Sequence, residues 1–249
     1  PVGLAMRYAQ PSIQNGIQSL LDSNPNIKRI IAVPLYPHYA MATTTTVMEK
    51  TDQVVNDYFS HLSIDYVMPF YKHPLYISAL SKSIGRHLTD SIDYILFSYH
   101  GIPVRHLKKT DPTKKHCYKV PDCCNVSCEA AHEVCYRHQV VQTTNLVADA
   151  LQLSPDMHSI SFQSRLGLDE WLAPATDKEI ERLAKSGVKH LAICCPAFVS
   201  DCLETLEEMG EEGKEIFLEH GGETFTLIPC MNDDDDWVDS LHGIVNEIL

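Results

Sequence analysis

No apolar run in this chain of 249 residues approaches the roughly 20 residues needed to cross a bilayer, which excludes a transmembrane helix. Basic charge is scarce: 20 Lys and Arg stand against 33 Asp and Glu, a formal net charge of -13. That balance argues against nucleic acid as a partner and gives no support for binding to an anionic membrane surface. It favours cations, although most of the acidic excess reads as solvated surface. No segment recurs, so a repeat array is excluded. An initiator Met and a signal-peptide pattern are both missing. The chain opens Pro1-Val2-Gly3-Leu4-Ala5-Met6-Arg7-Tyr8 and runs straight into an apolar segment. We therefore expect a piece that lacks the N-terminal part of its first domain.

What is present is ordinary in bulk and uneven in detail. With 44% apolar and 21% charged residues, the composition is that of a globular protein with a real core. Strand-like runs at 2–6, 29–34, 64–68, 94–99, 158–163, 190–195 and 224–228 alternate with helical periodicity at 13–21, 46–59, 75–88, 140–151 and 177–185. That alternation predicts parallel strands in an α/β doubly wound fold. We read residues 1–92 as the remainder of a first α/β domain and 93–235 as a second. An amphipathic helix at 236–249 is expected to pack back on the first domain. Asp233 to Asp236 precede it, where acids complement the helix dipole, so they read as a cap in preference to a metal site. Residues 105–138 break the alternation and read as an insertion, being polar, rich in cysteine and longer than a usual connection.

Four segments carry chemistry. In Ile95-Leu96-Phe97-Ser98-Tyr99-His100-Gly101-Ile102-Pro103 a buried strand delivers an imidazole to the rim of a sheet, where open α/β folds bind ligands. In the second, Asp201, Glu204 and Glu208 follow another apolar strand. If Asp201 begins a helix, the i+3 and i+7 spacing puts all three on one face, where mutual repulsion welcomes a proton or a divalent cation. The third runs from Gln163 and Ser164 to Trp171, an aromatic in a loop that suits stacking on a flat ligand or filling core space. In the fourth, Pro34-Leu35-Tyr36-Pro37-His38-Tyr39 forms a rigid aromatic strand exit. Arg7 and Tyr8 hold an equivalent place, where Arg can grip a carboxylate.

In this order and spacing, these segments resemble the ferrochelatase family, which inserts ferrous iron into a porphyrin at the end of heme synthesis. The resemblance covers nearly the whole chain, from Met6-Arg7-Tyr8 to Asp201-Cys202-Leu203-Glu204-Thr205-Leu206. It implies two Rossmann-like, chelatase-type domains around a cleft, the first incomplete here. It implies catalysis by His100 and Glu204, which handle pyrrole protons and metal, with Asp201 and Glu208 continuing an acidic route for the substrate iron. Arg7, Tyr8, Tyr36, Trp171 and Phe198 are then the porphyrin-binding residues. Protoporphyrin and coproporphyrin both occur as substrates in the family. A cytoplasmic location is implied, with peripheral membrane contact left open. The chain departs from some relatives in carrying Cys202 where they have a second histidine. Rival functions are a heme or iron–sulfur sensor on the same fold and a cobalt chelatase.

Nine cysteines remain to be placed, and Cys117, Cys123, Cys124, Cys128 and Cys135 crowd the insertion. Without a secretion signal, such crowding points to metal or iron–sulfur ligation before disulfides. Some ferrochelatases hold a [2Fe–2S] cluster, which needs four thiolates. The resemblance therefore implies that four of these five bind one. Zinc is the rival, with His116, His132 and His138 available to complete a mixed site. Cys194 and Cys195, inside a strand, read as core.

Overall fold

The structure is a computed structural model that describes residues 1–249. Its first part holds α1 (Ile13–Ser23), β1 (Arg29–Ala32), α2 (Thr46–Tyr58), β2 (Ser63–Tyr66) and α3 (Pro74–Gly85). β3 (Tyr94–His100) follows, then α4 (Val104–Thr110), α5 (Glu129–His132) and α6 (Tyr136–Ala150), which occupy and close the insertion. The remainder is β4 (His158–Gln163), α7 (Thr176–Lys185), β5 (His190–Cys194), α8 (Leu203–Leu206), α9 (Lys214–Glu219), β6 (Thr224–Leu227) and α10 (Asp235–Asn246). Two π-helical segments, Met41–Thr45 and Glu208–Gly213, lead into α2 and α9.

The alternation of strand and helix produces two parallel sheets, as the sequence predicts. β1 pairs with β2, and the larger sheet has the order β4-β3-β5-β6. β3 lies inside that sheet and is covered on both faces, which is why it reads as a continuous apolar run. Ile95, Phe97 and Tyr99 face the core shared with α3, α6 and α10, whereas Leu96 faces the cluster built on α7, β5 and α9. This alternation follows from the two-residue period of a strand. All four side chains are at most 2% exposed.

Residues 2–6 do not form the expected strand. Met6 makes an isolated bridge to Ser12, while Val2 and Leu4 stand in solvent. The segment instead lies along α1, where a Cβ on Gly16 would meet the Leu4 carbonyl oxygen at 2.8 Å. At the other end of the chain, α10 packs on α3. Trp237 is 3% exposed, with its ring 5.8 Å from that of Phe70 and 6.1 Å from that of Tyr76. Lys82 on α3 pairs with Asp236 at 2.5 Å, and Arg86 pairs with Asp234. Asp234 also caps the helix by accepting from the Asp236 N–H at 3.0 Å, so two of the acids that open this helix serve as cap and ion-pair partners. No helix is long and apolar enough to cross a membrane.

Candidate active site

His100 is the last residue of β3, aligned with Gln163 at the end of β4. Its Nδ1 lies 2.6 Å from the Gly101 carbonyl oxygen. A carbonyl only accepts, so Nδ1 carries a proton, and Nε2 is the nitrogen that can offer a lone pair. The chain turns at Gly101, where a Cβ would meet the Gln163 carbonyl oxygen at 2.8 Å and Trp171 Cε3 at 3.2 Å. Only glycine lets the two strand ends approach this closely. The Tyr136 hydroxyl donates to the His100 carbonyl at 2.8 Å and ties the head of α6 to the same strand end.

The imidazole opens into a cavity of about 340 Å³ lined by Leu35, Tyr36, Ile102, Tyr136, Phe198 and Cys202 among others. The wall is largely apolar with few polar groups, the usual character of a site for a flat organic ligand. The Phe198 ring lies 6.2 Å from that of His100, tilted by 57°. Glu204, on α8, is half-buried close enough to His100 to feel its charge. A hydrogen bond from the Cys202 thiol, its own backbone N–H and the nearby imidazole together hold its carboxyl below the usual range, against the opposing effect of burial. Glu204 is therefore held as an anion near the imidazole. At the rim, the Arg7 guanidinium lies 4.5 Å from the Tyr8 ring centroid, and Tyr8 is near enough to raise the Tyr36 phenol beyond what burial does.

The other expected site residues are distributed differently. Trp171 lies across Gly101, with its indole N–H on the Leu166 carbonyl at 3.1 Å, and lines a second, more polar cavity of about 780 Å³ together with Glu208. Glu208 accepts from Ser164 at both carboxylate oxygens. Asp201 uses its carboxylate on Asn232 Nδ2 at 2.7 Å, Thr205 Oγ1 at 3.0 Å and the Cys230 N–H at 3.2 Å. Burial pushes this carboxyl up, but those donors outweigh it and hold it low. The three acids do not share an α-helical stripe. Asp201 precedes α8, which ends at Leu206, and Glu208 opens a π-helical turn whose larger number of residues per turn changes the phase.

The sequence reading missed His38 as a site residue, although it named the segment. His38 is 3% exposed and lines the His100 cavity. Its Nε2 meets Thr143 Oγ1 at 2.9 Å, and that hydroxyl gives its proton to the Tyr71 carbonyl at 2.7 Å. The proton of His38 is thus on Nε2, and Nδ1 is left without a partner. Burial pushes this imidazole down to about 3, so it stays neutral. No local pattern marks such a residue, because its environment is assembled from β3 and α6.

All nine cysteines, the five of the insertion included, are free thiols, and none forms a disulfide. Cys135 hydrogen-bonds both Cys117 and Cys124, which favours its thiolate and disfavours theirs, and Cys123 is close enough to raise both. Cys128 stands apart at the head of α5, half-buried. The histidines are occupied: His116 and His132 both place Nε2 on the Cys123 carbonyl, at 2.7 and 2.9 Å, and His138 places Nδ1 on that of Cys124 at 2.8 Å. No three His, Cys, Asp or Glu side chains are arranged to hold a metal ion. The expected metal site is therefore not preformed: the thiols converge, but they do not close around a point.

Comparison with known proteins agrees with this geometry. The family model described as Ferrochelatase matches residues 1–249. A ferrochelatase of Opitutus terrae is 47% identical over 249 residues, covering all of this chain and 71% of that protein. A ferrochelatase of Pseudomonas fluorescens is 46% identical over 241 residues, covering 97% of this chain and 70% of that protein. Among solved structures, SirB from Bacillus subtilis with Fe3+ superposes with a TM-score of 0.61 over 96% of this chain and 78% of that one. At 14% identity that likeness speaks for the chelatase fold alone. A family model that matches the whole chain and relatives at 46–47% identity, on a fold that sets His100 in an apolar cavity, place the chain in the ferrochelatase family.

Proposed function

We propose that the chain inserts ferrous iron into protoporphyrin IX, with His100 accepting pyrrole protons and Glu204 guiding the metal. The overall reaction releases two N–H protons from the macrocycle as one Fe²⁺ enters. The observation that carries the assignment is the bare Nε2 of His100 opening into an apolar cavity beside an ionised Glu204. The imidazole takes protons in turn and passes them to solvent. The carboxylate draws the dication to the opposite side of the exchange, and the apolar wall excludes water from both. Tyr36 and Phe198 supply the wall, and Arg7 with Tyr8 forms its rim, suited to a propionate. Trp171 acts from behind Gly101, while Asp201 and Glu208 lie along the outer acidic route. Incubation with protoporphyrin and Fe²⁺, followed by the Soret shift, tests this. Heme formation by the parent chain and its loss in His100→Ala is the expected result. Equal rates in both overturn the assignment of His100, and turnover confined to Co²⁺ with a corrin precursor would favour the cobalt chelatase.

We further propose that Cys117, Cys123, Cys124 and Cys135 bind a [2Fe–2S] cluster. The contacts of Cys135 with Cys117 and Cys124, and the turn that carries Cys123 and Cys124, support this set. In a turn, unlike an extended strand, adjacent side chains need not point in opposite directions. Anaerobic protein with about two irons per chain and visible absorbance, kept in Cys128→Ser and lost in Cys135→Ser, is the expected outcome. Zinc without visible absorbance ends the cluster reading. The division into domains at residues 92/93 and a cytoplasmic location with peripheral membrane contact are also proposed. The exposed Tyr8 and Leu35 near the cavity mouth support the latter.

A further inference from the structure

Gln163 and Ser164 end β4 beside His100, and the chemistry above gives them no part. Gln163 is 2% exposed, and every polar atom of its side chain is engaged. Its Oε1 accepts from Ser98 Oγ at 2.7 Å and from Cys195 Sγ at 3.5 Å, and its Nε2 donates to the Glu204 carbonyl at 2.7 Å. Its own carbonyl accepts the Gly101 N–H at 2.8 Å. One residue thus binds the turn that follows His100 through its backbone and the helix that carries Glu204 through its side chain. Ser164 extends the arrangement. Its N–H donates to Glu208 Oε1 at 2.7 Å and its hydroxyl to Oε2 at 2.5 Å. It does so from a left-handed backbone, φ 61°, which a residue with a Cβ adopts only where the surroundings enforce it.

We propose that Gln163 and Ser164 are positioning residues that hold the acidic segment in register with His100, Gln163 acting through Glu204 and Ser164 through Glu208. Separate elements carry the imidazole and the carboxylates, and α8 is a single short turn. Without the clamp the spacing between proton acceptor and metal guide is left to a loop. A misplacement of about 1 Å can cost on the order of 100-fold in rate.

This inference rests on the reading of Glu204 as a functional residue, and a double-mutant cycle separates the two. Steady-state iron insertion is measured for the parent chain, Gln163→Leu, Glu204→Gln and the double variant, with thermal midpoints and tetrapyrrole binding by fluorescence as controls. Gln163→Leu is expected to lower kcat at least about tenfold in the parent background and less than about twofold in the Glu204→Gln background, with porphyrin affinity kept. Equal losses in both backgrounds overturn the clamp, because a merely structural residue costs the same in each. Parent rates in Glu204→Gln overturn the reading of Glu204 instead. If Gln163→Leu fails to fold, Ser164→Ala paired with Glu208→Gln decides in the same way: non-additive losses support the clamp and additive ones refute it.

Discussion

Replacing Gly101 with Ala tests whether close approach of two strand ends sets the position of the His100 imidazole. The new methyl group would lie 2.8 Å from the Gln163 carbonyl oxygen and 3.2 Å from Trp171 Cε3. The first neighbour is backbone and cannot swing aside, so β3 and β4 must part at their ends. Overpacking of this kind costs about 1–3 kcal/mol, and weakening the Gly101 N–H to Gln163 bond adds about 0.5–1.5 kcal/mol. The sum of roughly 1.5–4.5 kcal/mol corresponds to a drop in Tm of roughly 3–18 °C in a chain of this size. Because His100 lies next to the turn, the rate of iron insertion is expected to fall by more than the folded fraction does, by about 100-fold. Thermal denaturation and the Soret assay on the same preparation separate the two effects. A variant that melts within about 2 °C of the parent and retains its rate would refute the argument, since the strand ends would then have room to spare.

Three further outcomes are expected. Trp237→Ala should destabilise the chain by about 3–5 kcal/mol by removing the side chain that seats α10 against Phe70 and Tyr76, measured by urea unfolding. Asp111 is 2% exposed and accepts from the N–H groups of Thr113, His116 and Cys117; those bonds and the Thr113 hydroxyl hold its carboxyl low, although burial opposes them. A depressed folded value means that its stabilisation is present above the ordinary carboxylate range and is lost as pH falls through the folded value. Hydrogen exchange at 111–117 should therefore stay slow down to about pH 4 and quicken only below it, and early loss of protection would contradict the assignment. Tyr136→Phe should cost about 1 kcal/mol and lower the rate of iron insertion with porphyrin affinity kept, because the hydroxyl bond to the His100 carbonyl goes while the ring stays in the cavity wall.

Much of this protein is legible locally. The strand at 94–100 announces itself because burial on both faces demands an unbroken apolar run, and the glycine and proline that follow mark where it stops. The parallel sheets follow from strands that alternate with helices too long for hairpins. The pattern also placed His100 at the carboxyl end of that strand, which is a local fact. Residues 2–6 misled for the complementary reason: an apolar run needs a strand neighbour to become a strand, and this one lies along α1 instead.

Contacts between distant segments decided the rest. Asp201, Glu204 and Glu208 look like one helical stripe on paper. The chain instead makes a single turn and then a π-helical one, so Asp201 becomes a brace for Asn232 while Glu208 turns to Ser164. The tautomer of His38 depends on Thr143 and Tyr71, more than 30 residues away on either count. The sequence alone determined the sheet, the strand ends and the residue types, because hydrophobic period and backbone propensity act over a few neighbours. Only the tertiary structure decided which lone pairs are free and which carboxylates are occupied, because a hydrogen bond satisfies whichever group the fold brings within 3 Å or so, regardless of its distance along the chain.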